Sequence, residues 1–531
     1  LIRPEPCIFP FTDAPNAVDL KKFLSPRKLV KMGLINGVLS FRTTLFYKEF
    51  LDGRYRTCFG PRFMHSGKIY CVCNPCLARA FTRLMLRRKP ELPGLHDQLL
   101  ANQVTFFTRT HAVFTHLKHM IAGLDDEIVT MVELARVKCH DPHPKKLQRE
   151  NADRNLNYYG YGEDHWVTRH KKVMEAFMKP DEWAKPGKFP RLVFNLGVEA
   201  SLQGGFLLEI AKTRMCGEDI PFAGGHIRLV KKVTYDEILY CFDQMINLRG
   251  RFFYCIFSDD ACCSYFQNGQ THYCNIDISG CDASHGEGIF SFLANFFEPR
   301  AQEFFNPLLD QCQFPIVVRS VHDRYEKKTI QLRRHILPSG STLTTFLNNI
   351  GSLAIAIAFI ENDFDPEASK LAGYIITIDR YTEWFRLQFL KHSPVLDVLG
   401  NLRALANLGI PFRASGICKG DLPGHGDLLT RARTFQAGLL HGIYPRTTIP
   451  IIEHMLHNAG GRPSTPPNTD EYLTFTRSPV FTITDQAWAQ RYDITNAELA
   501  DLHAQLRPMT WDVVCISCEA SRKILKLDYG L

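Results

Sequence analysis

FYCIFSDDACCSYF, residues 253–266, sets two adjacent carboxylates, Asp259 and Asp260, between two apolar, β-prone runs. Two such runs joined by a short polar tip read as a β-hairpin. A second acidic segment follows closely: NIDISGCDASHG, residues 275–286, carries Asp277 and Asp282 at D-x4-D spacing. A strand that ends in an outward-pointing Asp, lying beside a hairpin whose turn carries another, can hold a pair of divalent cations about 3.5–4 Å apart for in-line phosphoryl transfer. Mg²⁺ prefers oxygen ligands and keeps waters and substrate phosphates in its shell, so few protein carboxylates are needed. A lone Ser-Asp-Asp would be read more simply as a solvated turn, and its companions decide the matter.

The chain around this hairpin has 531 residues, 45% of them hydrophobic and 11% aromatic, enough for a large core and three or four domain-sized units. Lys and Arg exceed Asp and Glu by 63 − 55 = 8, which permits a polyanionic partner without demanding one. The 17 cysteines are odd in number, scattered, and partly inside apolar runs (Cys241, Cys255, Cys274), and no secretory signal precedes them, so a reducing cytosol is expected. The longest apolar run, 350–360, is far short of the roughly 20 residues that span a bilayer, and no membrane span is predicted. From about 235 to 440, strand-like runs (FFYCIF, HYCNIDI, YIITI) alternate with helical ones (EGIFSFLANFFEPRAQEFF, LTTFLNNIGSLAIAIAFIE), which predicts an α+β fold. The segments IPIIEHMLHN and TNAELADLHAQL predict a mainly helical C-terminal part.

Downstream, LPSGSTLTTFLNNIGS, residues 337–352, carries Ser339, Gly340, Thr344 and Asn348. Thr344 and Asn348 lie four apart and share one face of the helix that follows the Ser-Gly turn. An amide on that face could meet Asp282 and leave polar groups for a ribose 2′-hydroxyl. A Ser-Gly turn followed by Thr is otherwise an ordinary helix start.

Together these segments resemble the palm of viral RNA-dependent RNA polymerases: motif A at Asp277 and Asp282, motif B at Ser339, Gly340, Thr344 and Asn348, motif C at Ser258, Asp259 and Asp260. The hairpin precedes motif A, giving the order C-A-B of the permuted polymerases of permutotetraviruses and birnaviruses. YIITIDRYTEWF, where motif C would normally fall, has the single Asp379. The resemblance extends to KPGKFPRLVFNLGVEASLQGG as motif F, whose Lys185, Lys188 and Arg191 would face an incoming triphosphate. NLRALANLGIPFRASGICKGD resembles motif D, ending in Lys419, and ARTFQAGLLHGIYP falls where the primer-gripping motif E belongs.

The resemblance, which covers roughly residues 185–445, implies a right-hand fold. Fingers with an N-terminal extension and fingertips would occupy 1–234, a palm of antiparallel sheet and helices 235–445 with a fingers insertion around 290–336, and a thumb 446–531. It implies RNA-templated nucleotidyl transfer in viral genome replication and transcription. Asp259 and Asp277, with Asp260 beside them, would hold two Mg²⁺ or Mn²⁺ ions, and Lys419 would protonate the leaving group. Asp260 is expected to matter less, because a neighbouring residue on a strand points to the opposite face. RNA template and product, ribonucleoside triphosphates and other viral replication proteins would be its partners, in the host cytoplasm within a virion or replication complex.

CFGPRFMHSGKIYCVCNPC, residues 58–76, offers Cys58, His65, Cys71, Cys73 and Cys76, enough ligands for a structural zinc. The irregular Cys-x-Cys step and apolar neighbours suit free thiols better. Three other functions compete with the polymerase. A reverse transcriptase would share the metal carboxylates but lack the Asn348 partner. A metal-dependent phosphatase would leave the Ser-Asp-Asp hairpin and the 339–348 segment unexplained, and a non-enzymatic RNA-binding capsid or scaffold protein would account for the basic balance alone.

Overall fold

The computed structural model describes residues 95–155, 172–178, 192–319, 327–414, 425–426, 428–461, 480–506 and 518–530. It also describes three short paired strands, Cys7–Ile8, Arg62–His65 and Lys68–Cys71. The fold is α+β with mostly antiparallel sheets, as the alternation of strand-like and helical runs implies.

Its centre is a six-stranded sheet. In chain order the elements are β1 (Asp219–Phe222), β2 (Gly225–Leu229), helix α1 (Tyr235–Ile246), β3 (Phe252–Phe257), β4 (Asp260–Gln267), β5 (Gln270–Ile278), the short helix α2 (Cys281–Ser284), the long helix α3 (Thr344–Glu361) and β6 (Ile376–Tyr381). The strands lie side by side as β6-β5-β4-β3-β2-β1. All neighbours are antiparallel except β2 and β3, which run parallel and are joined through α1. That crossover is the usual way to link parallel strands. Thr234 opens α1 by accepting a hydrogen bond from the Glu237 amide on its side chain (3.3 Å). β3, β4 and β5 form a meander with two-residue turns. At Asn268-Gly269 both residues have positive φ (54° and 74°), the signature of a type I′ hairpin turn.

The β3 sequence FFYCIF shows no polar alternation because both faces of the sheet are covered. Phe252, Tyr254 and Ile256 enter one core with α3, while Phe253 and Cys255 enter another with α1 and the C-terminal helices. Every residue of α3 from Phe346 to Ile360 is buried, which is why this helix is apolar all round. At 18 residues α3 is long and apolar enough by composition to cross a membrane, yet it is the core helix of the described fold. All ten cysteines described in side-chain detail are buried and free.

The sheet begins at Asp219, so the boundary expected at residue 235 cuts between β2 and β3, which are directly hydrogen-bonded partners. The helices Pro450–Asn458, Asn496–Gln505 and Glu519–Tyr529 share one hydrophobic core with α1 and with the hairpin formed by β7 (His392–Leu396) and β8 (Leu402–Ala406). ARTFQAGLLHGIYP, expected at the primer grip, lies largely in the helix Leu428–Ile443. Of the zinc set, Cys58, Cys73 and Cys76 lie outside the described residues. The backbone register puts His65 opposite Lys68 and Cys71 opposite Arg62, at the two ends of a hairpin.

Candidate active site

Phe257 pairs with Asp260, leaving Ser258 and Asp259 as the two-residue turn between β3 and β4. Of the two, only Ser258 has positive φ (57°), as the first central residue of a type II′ turn does; glycine is the usual occupant there. Three hydrogen bonds from α3 hold it. The Ser258 amide donates to Asn349 Oδ1 (2.7 Å), its Oγ accepts from Asn348 Nδ2 (3.2 Å), and its carbonyl accepts from Ser352 Oγ (2.6 Å). The turn is thus fastened to the start of the core helix, and Asp259 is left exposed at the tip.

Asp277 lies near the end of β5 and is directly opposite Asp260 in the β4–β5 register. Opposite residues of an antiparallel pair project on the same face, so Asp260 shares a face with Asp277, contrary to the expectation that it points away. That expectation measured Asp260 against Asp259, but Asp259 is a turn residue and the strand alternation starts only at Asp260. On β6, Asp379 pairs with Asn275 and so joins the same face. Burial pushes the Asp260 carboxyl up to about 7. The Leu390 amide, which donates to its Oδ2 (2.7 Å), and Lys391 oppose this, while Asp259 and Asp277 add to it. Asp277 is also raised, by burial first and then by Asp259 and Asp379, against Lys391 and the Ile278 amide. The Leu390-Lys391 turn that supplies this counter-charge has positive φ at both residues (52° and 62°), a strained geometry for non-glycine residues. Lys391 in turn donates to the Asp528 carbonyl (3.0 Å).

Two carboxylates raised by burial and by neighbouring carboxylates, with only oxygen donors, fit a hard divalent cation. Among the described residues no group of three or more His, Cys, Asp or Glu side chains could hold a metal ion by itself. Water and substrate phosphates would have to supply part of the shell.

Asp282 lies in α2, and its Oδ1 accepts from Asn348 Nδ2 (3.2 Å). Asn348 is buried, and its two amide hydrogens go to Ser258 and Asp282 while its Oδ1 accepts from His285 Nε2 (2.7 Å) and Cys281 Sγ (3.3 Å). One side chain therefore ties three separate stretches of sequence together. Its hydrogen-bonding capacity is spent inside the protein, so a sugar hydroxyl would meet it only in exchange for one of these partners.

Ser339 and Gly340 precede α3 and dock on the strand Leu192–Asn195, where the Phe194 amide donates to the Ser339 carbonyl (3.0 Å). Gly340 has φ 102°, and a Cβ there would lie 2.8 Å from the Phe194 carbonyl oxygen. Shape as well as freedom demands glycine. Thr344 turns its hydroxyl back to the Pro338 carbonyl (3.4 Å). Lys185, Lys188, Arg191 and Lys419 lie outside the described residues. The sequence reading missed Asn349, Ser352, His285, Tyr374 and the Leu390-Lys391 turn. The polar run N-N-x-x-S at the head of an otherwise apolar helix was the available signal for the first two.

No protein-family profile and no curated protein matches the chain. Among solved structures it is similar to the birnavirus VP1–VP3 complex, with 11% identity and a TM-score of 0.38. It is also similar to the RNA polymerase VP1 of Infectious Pancreatic Necrosis Virus, with 11% identity and a TM-score of 0.37. Each match covers 60% of this chain and 46% of the other.

Proposed function

We propose that this chain is an RNA-dependent RNA polymerase with a permuted palm, a nucleotidyltransferase of viral genome replication and transcription. One observation carries the reading: Asn348 bridges Ser258 and Asp282, residues 90 and 66 positions away in sequence. The segments read as motifs C, A and B thereby meet at one point despite their order along the chain. A solvated Ser-Asp-Asp turn would have no reason to be gripped at its amide, hydroxyl and carbonyl by a core helix.

In the proposed reaction the 3′-hydroxyl oxygen of the growing RNA bonds to the α-phosphorus of a ribonucleoside triphosphate. The bond to pyrophosphate breaks, and the hydroxyl proton leaves to solvent or a nearby base. Asp259 and Asp277, with Asp260 beside Asp277, would hold Mg²⁺ or Mn²⁺, which when bound lowers the pKa of the hydroxyl and neutralises the developing phosphate charge. The α3 contacts hold the Ser258-Asp259 turn rigid so that Asp259 keeps its position relative to Asp277. Asp282, positioned by Asn348, would face the sugar. Lys185, Lys188 and Arg191 would bind the triphosphate, and Lys419 would give a proton to pyrophosphate.

Template and product RNA would be held through phosphates, which carry no sequence information. The right-hand division into fingers, palm and thumb, other viral replication proteins as partners, and a place in a cytoplasmic replication complex belong to the same proposal. Primer extension with labelled ribonucleotides on a homopolymer template tests it. Templated incorporation of ribonucleotides is expected. Incorporation of deoxyribonucleotides in preference would indicate a reverse transcriptase, and RNA binding without incorporation a scaffold protein.

A further inference from the structure

Behind Asn348 lies a buried pair that the proposed chemistry does not use. His285 Nε2 meets Asn348 Oδ1 at 2.7 Å, and His285 Nδ1 meets the Tyr374 hydroxyl at 2.8 Å. His285 and Tyr374 are 2% and 0% exposed, so neither can touch a substrate. An amide oxygen only accepts, which requires a proton on Nε2; in the neutral ring Nδ1 is then the acceptor and Tyr374 the donor. The Asp282 carboxylate, an acceptor only, orients the Asn348 amide; the amide oxygen then sets the His285 tautomer, and Tyr374, which can donate or accept, answers as the donor that holds the ring.

The surroundings are shaped for this pair. A Cβ on Gly351 would lie 2.8 Å from His285 Cε1 and 3.0 Å from the Tyr374 hydroxyl, so α3 has no side chain where the two rings sit. The backbone around His285 is held by Gln103, which is fully buried in the helix Leu95–Thr108. Its Nε2 donates to the Ser284 carbonyl (3.3 Å) and its Oε1 accepts from the Gly286 amide (2.7 Å).

We propose that the His285–Tyr374 pair is a positioning element for sugar selection: it locks the Asn348 amide with both N–H groups toward Asp282 and Ser258. With the amide reversed, its oxygen would face the Asp282 carboxylate, a repulsive contact, and His285 could accept from the amide N–H only by moving its proton to Nδ1 and giving up the bond it now donates. The inference rests on Asp282 and Asn348 as the sugar-sensing pair.

The experiment compares kcat/KM for a ribonucleotide and its deoxy counterpart in wild type, Tyr374→Phe, His285→Leu, His285→Gln and Asn348→Ala. Tyr374→Phe and His285→Leu are expected to lower the ribose preference about tenfold, the effect of one lost hydrogen bond. The change should come through the deoxynucleotide, with kcat for the ribonucleotide little altered. His285→Gln, whose amide can donate to Asn348 Oδ1, is expected to restore most of the preference. Wild-type preference in Tyr374→Phe and His285→Leu, with loss in Asn348→Ala, would overturn the lock and leave the sugar-sensing pair standing. Unchanged preference in Asn348→Ala as well would overturn the pair itself. If His285→Leu does not fold, Tyr374→Phe, which removes a single oxygen, decides. Independently of activity, ¹⁵N spectra of the histidine rings should show His285 protonated at Nε2, and a ring protonated only at Nδ1 would refute the proposal.

Discussion

Ser258 separates two contributions that a single substitution would confound. Its φ of 57° costs a non-glycine residue about 1 kcal/mol, and its Oγ accepts one hydrogen bond from the buried Asn348 amide, about another 1 kcal/mol. Ser258→Ala keeps the strain and loses the bond, so it should destabilise the protein by about 1 kcal/mol, more if the abandoned Asn348 N–H finds no water. Ser258→Gly loses the same bond but relieves the strain, and should fall within about 0.5 kcal/mol of wild type. The bonds to Asn349 and Ser352 use the Ser258 backbone and survive in both variants. Urea unfolding of the three proteins, with slopes compared to establish equal exposed surface, reads the difference. Primer extension should follow the same order, Gly above Ala, because the turn carries Asp259. Equal stabilities for Ala and Gly would refute the strained-turn argument.

Asn348→Ala and Asp282→Ala should each weaken discrimination between ribo- and deoxyribonucleotides by about tenfold or more, measured by competing the two triphosphates, because a site built around a hydroxyl penalises its absence. Mg²⁺ should raise the melting temperature at neutral pH by relieving the repulsion among Asp259, Asp260 and Asp277, and Asp277→Asn should reduce that rise; an identical rise in the variant would place the cation elsewhere. His392 is buried, with Nδ1 donating to the Leu390 carbonyl (2.7 Å), and burial lowers its pKa from 6.5 to about 4. Its contribution to stability is therefore complete above pH 6.5 and lost as the pH falls toward 4, about 3 kcal/mol in all, and His392→Gln should flatten the acid limb of a stability–pH curve.

Much of the site was legible because its residues declare themselves locally. FFYCIF and ACCSYF are β-prone on either side of a polar tip, and the observed strands end at Phe257 and begin again at Asp260. NIDI ends a strand, and the apolar run after Leu343 is a helix from Thr344 to Glu361. What escaped depends on register and on distant packing. The face shared by Asp260 and Asp277 follows from the two-residue turn between β4 and β5, since a three-residue turn there would have shifted the register by one and put the two on opposite faces. Tyr374 sits 89 positions from His285, and the Leu390 amide 130 positions from Asp260, separations at which no sequence pattern signals a contact. The strands β1 and β2 lie before the run from about 235 in which strand-like segments are read, and the sheet reaches them because β2 pairs with β3 and β1 with β2.

In the proposed polymerase the acidic hairpin at 258–260, and not the Gly-Asp-Leu at 420–422, supplies the catalytic carboxylate. Asp421 lies outside the described residues, in a stretch rich in Gly and Pro with no β-prone run on either side. Asp259 sits on a turn held by three hydrogen bonds beside the strand of Asp277. Primer extension by Asp259→Asn and Asp421→Asn, each checked for wild-type folding by circular dichroism, puts the two side by side. Asp259→Asn is expected to abolish incorporation and Asp421→Asn to keep most of it. Full activity in Asp259→Asn, with loss in Asp421→Asn, would contradict the permuted site.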